Sequence, residues 1–268
     1  MKEQTKGLAV ITGASSGIGA VYADRLAQRG YDLLLVARSG QRLSDLANKL
    51  RETGRNVEIL AADLTVSSDL ARLEQVLRED SRITMLVNNA GVGSTTPLLN
   101  ADVADMSRMI ALNVEGLTRL TYAAVPAFVK RGSGTIINIA SIVAIAPELL
   151  NGVYGGTKAY VLAFSQSLRH ELANTGVKVQ VVLPGATATN FWNVAGTPVD
   201  NLPQEMVMST EDMVDAALAG FDQDEFATIP SLPDASQWDS FESMRQTMIP
   251  NLSLTEPAAR YRYGVSAQ

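Results

Sequence analysis

Tyr154 and Lys158 stand four residues apart in the segment Tyr154-Gly155-Gly156-Thr157-Lys158. On a helix that spacing places both side chains on one face, about 5 to 6 Å apart, so the ammonium can lie beside the phenol oxygen. A cation there favours tyrosinate and draws a pKa of about 10 towards neutrality, which suits a residue that exchanges a proton with an oxygen. Ser141 follows the β-branched run Thr135 to Ala140 and so brings a hydroxyl to the carboxyl end of a strand, where open α/β sheets bind their ligands. Asn113 falls inside a long stretch of helical apolar spacing, where an amide is locally disfavoured. Asn88-Asn89-Ala90-Gly91 closes a further apolar run. Each of these residues also reads as an ordinary cap or turn; it is their company that points to chemistry.

A second group could hold an anion. Directly after the run Leu8 to Thr12 comes Gly13-Ala14-Ser15-Ser16-Gly17-Ile18-Gly19, and a helical pattern follows. Gly13 and Gly17 let the backbone approach a pyrophosphate, and the N–H groups of the next helix start face the charge; the plainer reading is a simple βα turn. Arg38 lies 19 positions after Gly19, at the end of the run Tyr31 to Ala37, with Ser39 and Arg42 close behind and no carboxylate at that edge. In dinucleotide units a carboxylate there takes the ribose hydroxyls and an arginine takes a 2′-phosphate, so the pattern favours NADP(H) over NAD(H). An exposed arginine at a strand end is the alternative. Asp63, followed by Leu64, reads equally as an acceptor for an adenine amino group or as a cap of the next helix.

The elements that position these residues alternate. Strand-like runs at Leu8 to Thr12, Tyr31 to Ala37, Val57 to Ala61, Met85 to Asn88, Thr135 to Ala140, Lys178 to Leu183 and Ala227 to Pro230 are separated by helical spacing. The helical stretches are Ala20 to Arg29, Arg42 to Thr53, Ser67 to Asp80, Asp102 to Lys130, Tyr154 to Asn174 and Thr210 to Asp222. Most of the strands read as continuously apolar, as strands covered on both faces do. The expectation is one α/β domain, a doubly wound parallel sheet of seven strands with helices on both faces. A loop insertion is expected at 189–208, where Gly196, Pro198 and Pro203 fall, and a C-terminal extension at 231–268, with a helix from Ala235 to Met248.

Composition narrows the chemistry further. The 268 residues are 46% hydrophobic and 19% charged, with 22 Lys and Arg against 28 Asp and Glu, which suits a globular chain with a net charge of −6. No cysteine and one histidine leave no thiol nucleophile, disulfide framework or Cys- or His-rich metal site, so no metal is expected. His170 falls about 24 Å of helix rise beyond Tyr154 and reads as a surface or interface residue rather than a catalyst. The acidic balance without a basic stripe argues against nucleic acid. No apolar run is long enough to cross a bilayer and the polar start, Met1 to Lys6, has no leader pattern, so a cytoplasmic, membrane-free protein is expected. From Ala186 to Pro230 there is no Lys or Arg, while eight acidic residues fall there, beside the expected mouth of the site.

Taken in order, Thr12-Gly13-x-x-x-Gly17-x-Gly19, Asp63, Asn88-Asn89-Ala90-Gly91, Asn113, Ser141, Tyr154-x-x-x-Lys158 and Pro184-Gly185-x-x-x-Thr189 resemble the short-chain dehydrogenase/reductase family over residues 7 to about 190. The resemblance implies a Rossmann-type fold and an NADP(H)-dependent oxidoreductase. It implies that Tyr154 is the general acid and base, and that Lys158 lowers its pKa and binds the nicotinamide ribose. Ser141 would bond the substrate carbonyl oxygen and Asn113 would hold a water. Pro184, Gly185, Thr187 and Thr189 would hold the carboxamide end of the cofactor. A homodimer or homotetramer is implied too. The glycine turn carries Ser15-Ser16 where many NADP-dependent members have a second basic residue, which leaves more of the phosphate to Arg38.

Three variable segments are expected to wall the substrate pocket, contributing Val92, Ile142, Val143, Leu149, Phe191 and Trp192. So apolar a lining suits a hydrophobic ketone or aldehyde; the segment 189–208 resembles the family's lid, and the alternative is that these side chains simply pack that lid against the body. A 3-oxoacyl-thioester reductase, a secondary-alcohol dehydrogenase and a non-catalytic NADP sensor are the competing functions. The cation-free lid favours a neutral small molecule over a carrier-bound one.

Overall fold

The structure, a computed structural model, describes residues 5–261; Met1 to Gln4 at the start and Arg262-Tyr263 in the tail lie outside the described residues. Seven strands form one sheet: β1 (Leu8–Thr12), β2 (Asp32–Ala37), β3 (Val57–Ala61), β4 (Ile83–Asn88), β5 (Gly134–Ile139), β6 (Val177–Val182) and β7 (Ala227–Thr228). Every pairing is parallel and the order is β3-β2-β1-β4-β5-β6-β7. The order reverses between β1 and β4, and that switch point leaves a crevice at the carboxyl ends of the two strands.

Side chains alternate along each strand between two cores, which is why the strand sequences are apolar throughout. Ala9, Ile11, Leu33 and Leu35 bury against α1 (Gly17–Gln28), α2 (Gly40–Arg51) and α8 (Thr210–Asp222). Leu8, Val10, Leu34 and Val36 bury against α3 (Ser67–Glu79), α5 (Leu117–Arg131) and α6 (Gly152–Glu171). β3, at the edge, is the exception: Ile59 and Ala61 are exposed on one side. The last strand is shorter than its sequence suggests, since only Ala227 and Thr228 pair with β6.

The expected helix from Asp102 to Lys130 is not uniform. Asp102 caps α4 (Val103–Ile110), accepting from the Ala104 N–H at 2.8 Å. A π-helical segment, Ala111–Gly116, then precedes α5. Such widened turns re-aim the residues they contain, and the residue turned inward here is Asn113. Between the body and α8 lie α7 (Phe191–Ala195) and two 3₁₀ turns, Val199–Asn201 and Gln204–Met206. This segment is closed at its base where Met208 exchanges backbone hydrogen bonds with Ala186 and Ala188.

The described residues fall into two compact units, divided between Ser231 and Leu232. The second holds α9 (Ala235–Thr247), on which the Trp238 and Phe241 rings meet at 5.5 Å. Among the described residues no helix is long and apolar enough to cross a membrane.

Candidate active site

α6 begins where Asn151 accepts hydrogen bonds from the backbone N–H groups of Val153 and Tyr154, and the Asn151 amide in turn donates to the Thr96 carbonyl at 2.6 Å. This start presents Tyr154 and, one turn on, Lys158; both are buried, at 5% and 6% exposure. The Lys158 ammonium donates to the carbonyl of Ile139, the last residue of β5, at 2.8 Å. Two residues later Ser141 donates to the Pro184 carbonyl at 3.4 Å and accepts from the Val143 N–H at 3.4 Å, with its hydroxyl within reach of the Tyr154 phenol. Asn113 accepts from the Val92 N–H at 3.0 Å and donates to the Val92 carbonyl at 2.8 Å and to the Thr157 hydroxyl at 3.1 Å. A Cβ at Gly91 would lie 3.2 Å from Asn113 Oδ1 and 3.5 Å from Lys158 Nζ, so the amide and the ammonium face one point of the chain. The structure thus brings Asn113, Ser141, Tyr154 and Lys158 together at the carboxyl end of β5.

Burial, rather than the neighbouring cation, governs the protonation of this pair. The Tyr154 phenol is pushed up to about 12 by desolvation, with the Ser141 hydrogen bond pulling it part of the way back. Desolvation brings the Lys158 ammonium down to about 8. Both groups sit in low dielectric, which penalises each charged form, and the ammonium reaches the Ile139 carbonyl.

The glycine turn is braced against the end of β4. Gly13 and Gly17 adopt positive φ, +66° and +55°, which favours glycine. The Thr12 hydroxyl accepts from the N–H groups of Asn89 and Ala90, both at 3.0 Å, and the Asn89 amide donates to the Thr12 and Gly13 carbonyls. At Gly19 a Cβ would come within 2.5 Å of Asn89 Nδ2, so close packing of turn on strand requires glycine there too. Ser15 and Ser16 stand at the turn, Ile18 packs partly buried on the core, and Ser16 leaves the first amides of α1 without a side-chain cap. Thr189 touches the same turn, 3.2 Å from where a Gly17 Cβ would lie.

Around this crevice the other expected residues take various parts. Arg38 is exposed and no hydrogen bond or ion pair engages it among the described residues. Ser39 caps α2 by accepting from the Arg42 N–H at 3.4 Å. Asp63 accepts from the Thr65 N–H and hydroxyl, at 2.9 and 2.7 Å, which holds its carboxyl below the usual range, and Arg38 adds to that lowering. Leu64 and Ala90 pack in the core. The Gly185 carbonyl accepts from the Thr187 hydroxyl, and the Thr187 carbonyl accepts from the Trp192 indole at 3.0 Å.

The expected substrate wall divides in two. Val92, Val143 and Phe191 pack with Met109 and Tyr154 in a small apolar cluster. Leu149 and Trp192 instead line a cavity of about 440 Å³, together with Thr95, Leu98, Leu150, Asn151, Thr197 and Leu202. Ile142 donates its N–H to the Pro184 carbonyl at 3.0 Å. The acidic stretch is divided, which narrows its assignment to the mouth. Asp215 pairs with Arg25 at 2.7 Å, Asp222 with Arg29 at 2.8 Å, and Asp224 with Lys178, so three of its eight acidic residues form ion pairs outside the lid segment, while Asp200 and Glu205 stay in its 3₁₀ turns.

This geometry has a family. The short chain dehydrogenase family model matches residues 7–198, nearly all of the sheet and both groups of residues described above. The chain belongs to the short-chain dehydrogenase family. A similar solved structure is the short-chain dehydrogenase from Sphingobium yanoikuyae in complex with NADPH, 48% identical, with a TM-score of 0.93 over 96% of this chain and 100% of that one. The bulky-bulky ketone specific alcohol dehydrogenase from Comamonas testosteroni is 42% identical, with a TM-score of 0.88 over 96% of this chain and 99% of that one. Sulfoacetaldehyde reductase 2 of Chromohalobacter salexigens is 37% identical over 190 residues, 69% of this chain and 74% of that protein.

Two residues of this short-chain dehydrogenase matter to the site and escape sequence reasoning. Thr157 links the Asn113 amide to the Tyr154 carbonyl, which accepts from its hydroxyl at 2.8 Å; a hydroxyl between Tyr154 and Lys158 was the available signal. Gly93 receives the Phe191 ring, and nothing in its local sequence announces that contact. Gly155, by contrast, shows why a glycine stands inside α6: a Cβ there would press on Pro147 at 3.0 Å.

Proposed function

We propose that this short-chain dehydrogenase reduces a hydrophobic ketone or aldehyde with NADPH, reversibly. The observation that carries the reading is the convergence of Tyr154, Ser141, Lys158 and Asn113 beside a glycine-lined crevice at the β1/β4 switch point. The crevice fits a dinucleotide: its glycines bring backbone to the surface, the first amides of α1 have no side-chain cap, and Arg38 is exposed with no hydrogen bond or ion pair among the described residues. Likeness to NADPH-complexed and ketone-specific relatives supports the cofactor and the substrate class.

When bound, NADPH supplies the hydride that goes to the carbonyl carbon. Arg38 would take the 2′-phosphate, the Gly13 to Gly19 turn the pyrophosphate, and Pro184, Gly185, Thr187 and Thr189 the carboxamide end. Ser141 and Tyr154 donate hydrogen bonds to the carbonyl oxygen and stabilise the charge that grows on it. Tyr154 then gives up its proton; the high pKa that burial imposes keeps the phenol loaded until an oxygen of rising basicity faces it. Lys158, one turn away, offsets the charge left on the phenolate. Asn113 and Thr157 hold the two ends of this pair in register. In reverse the same residues oxidise the corresponding alcohol, secondary for a ketone and primary for an aldehyde.

Consumption of NADPH over a panel of aromatic ketones, diketones, aldehydes and acyl thioesters tests the reading. Turnover is expected with hydrophobic ketones or aldehydes, with NADPH favoured over NADH by about tenfold or more, as a charge contact to one phosphate would give. Efficiency with NADH equal to that with NADPH would overturn the cofactor assignment, and turnover confined to thioesters the substrate class.

A further inference from the structure

Gly93 is a notch that holds an aromatic ring. A Cβ built at Gly93 would overlap Phe191 Cζ and lie 2.8 Å from Phe191 Cε2 and 3.3 Å from Tyr154 Cδ2. The backbone there does not itself call for glycine, because φ at Gly93 lies outside the left-handed range. The missing side chain serves the ring and not a turn.

The ring is fixed from several directions. It meets Tyr154 at 5.6 Å, tilted by 45°, and Trp192 edge-on at 5.6 Å and 88°. The short helix α7 that carries it is tied at both ends. At one, the Trp192 indole donates to the Thr187 carbonyl; at the other, the Ala195 carbonyl accepts from the Thr95 N–H at 2.8 Å and hydroxyl at 3.0 Å. Leu150 packs with the Tyr154 cluster and also lines the 440 Å³ cavity, as Trp192 does beside Phe191, so cluster and cavity share a wall. A cavity of that volume is within the range that receives small molecules.

We propose that Phe191, seated on Gly93, is the specificity-determining wedge of this enzyme: its ring separates the carbonyl held at Tyr154 from the 440 Å³ cavity, which takes the larger substituent of a ketone flanked by two bulky groups. This rests on the ketone-reductase reading above. Turning the ring aside joins the two spaces; keeping it in the notch confines the substrate to one bulky group. Removing the ring, or filling the notch with a methyl group, opens the same passage.

The test compares kcat/KM for a diaryl or aryl branched-alkyl ketone with kcat/KM for an aryl methyl ketone in the wild type, Phe191→Ala, Phe191→Trp, Gly93→Ala and the double variant. Phe191→Ala is expected to raise the bulky-to-small ratio by about tenfold or more, the scale on which pocket contacts discriminate. Phe191→Trp is expected to lower it. Gly93→Ala, which keeps the phenylalanine but evicts its ring, is expected to move the ratio as Phe191→Ala does, and the double variant no further. NADPH affinity, read by fluorescence titration, separates a change at the wedge from general damage and is expected to stay within about twofold of wild type, since the change is confined to one contact surface. A ratio unmoved in Phe191→Ala, in a protein that still reduces the methyl ketone, overturns the wedge and leaves the reductase reading standing. A wild type that reduces no ketone with NADPH overturns both.

Discussion

Tyr154 and Lys158 titrate out of contact with bulk water, and this gives their pH dependence a definite sign. Lys158 falls from 10.5 to about 8 on folding, so between those values the unfolded chain holds a proton that the native chain lacks, and stability rises with pH. The cost of the buried charge is fully present below about 8. Tyr154 rises from 10 to about 12, so between those values the native chain keeps a proton that the unfolded chain loses, and stability falls with pH. Lys158→Met removes the first term. The variant's stability relative to wild type is expected to decline by on the order of 2 kcal/mol as pH goes from about 7 to about 10; urea titrations of both proteins across that range measure it, and a constant difference would refute the burial account. Tyr154→Phe is expected to lose about a thousandfold or more in kcat, the range of a lost proton donor, with NADPH affinity kept; steady-state rates and a fluorescence titration check the two halves. The identities and spacing of these residues were legible in the sequence. Their protonation was not, because it depends on how deeply the fold hides them.

At the scale of elements the helices and strands were legible within a few residues, since two-faced burial writes itself into continuous apolar strands and helical spacing writes itself into the covers. The π-helical turn at Ala111–Gly116 was not, because its cause is non-local: the Asn113 amide finds its partners on Val92 and Thr157, in other elements. Glycines separate the two kinds of information well. Gly156 sits in α6 with nothing within 4 Å of a Cβ, whereas Gly176, between α6 and β6, has φ +76° and a Cβ there would overlap the Gly132 carbonyl. Gly156→Ala is expected to stabilise the protein by about 0.5 to 1 kcal/mol through helix propensity. Gly176→Ala is expected to cost about 2 kcal/mol or more through strain and overlap. Denaturant midpoints of the two variants give the comparison, and similar effects at both positions would show that the local geometry does not decide them.

Over the molecule as a whole, the acidic stretch from Ala186 to Pro230 reads as part of the site's mouth, and folding pairs three of its eight carboxylates elsewhere. Arg25 on α1 and Arg29 at its C-terminal cap hold Asp215 and Asp222 on α8, and both carboxyls are lowered by these partners. The pairs are half open to solvent, so each is worth no more than about 1 kcal/mol. Asp222→Asn is expected to cost that much or less, with most of the loss gone in about 0.5 M NaCl and also gone as pH falls below the carboxylate range, where the wild-type contact is protonated away. Thermal melts at low and high salt check this; a cost independent of salt would place the residue in packing instead of charge. The sequence by itself determined the order of strands and helices, the glycine turn, and the types and spacing of Asn113, Ser141, Tyr154 and Lys158, because periodicity and short-range geometry are properties of neighbouring residues. Tertiary structure alone decided the burial that sets the Tyr154 and Lys158 protonation, the inward turn of Asn113, the pairing of α1 with α8, and the seating of Phe191 on Gly93. Each of these joins residues distant in the chain, and such contacts exist only once the sheet has brought its edges together.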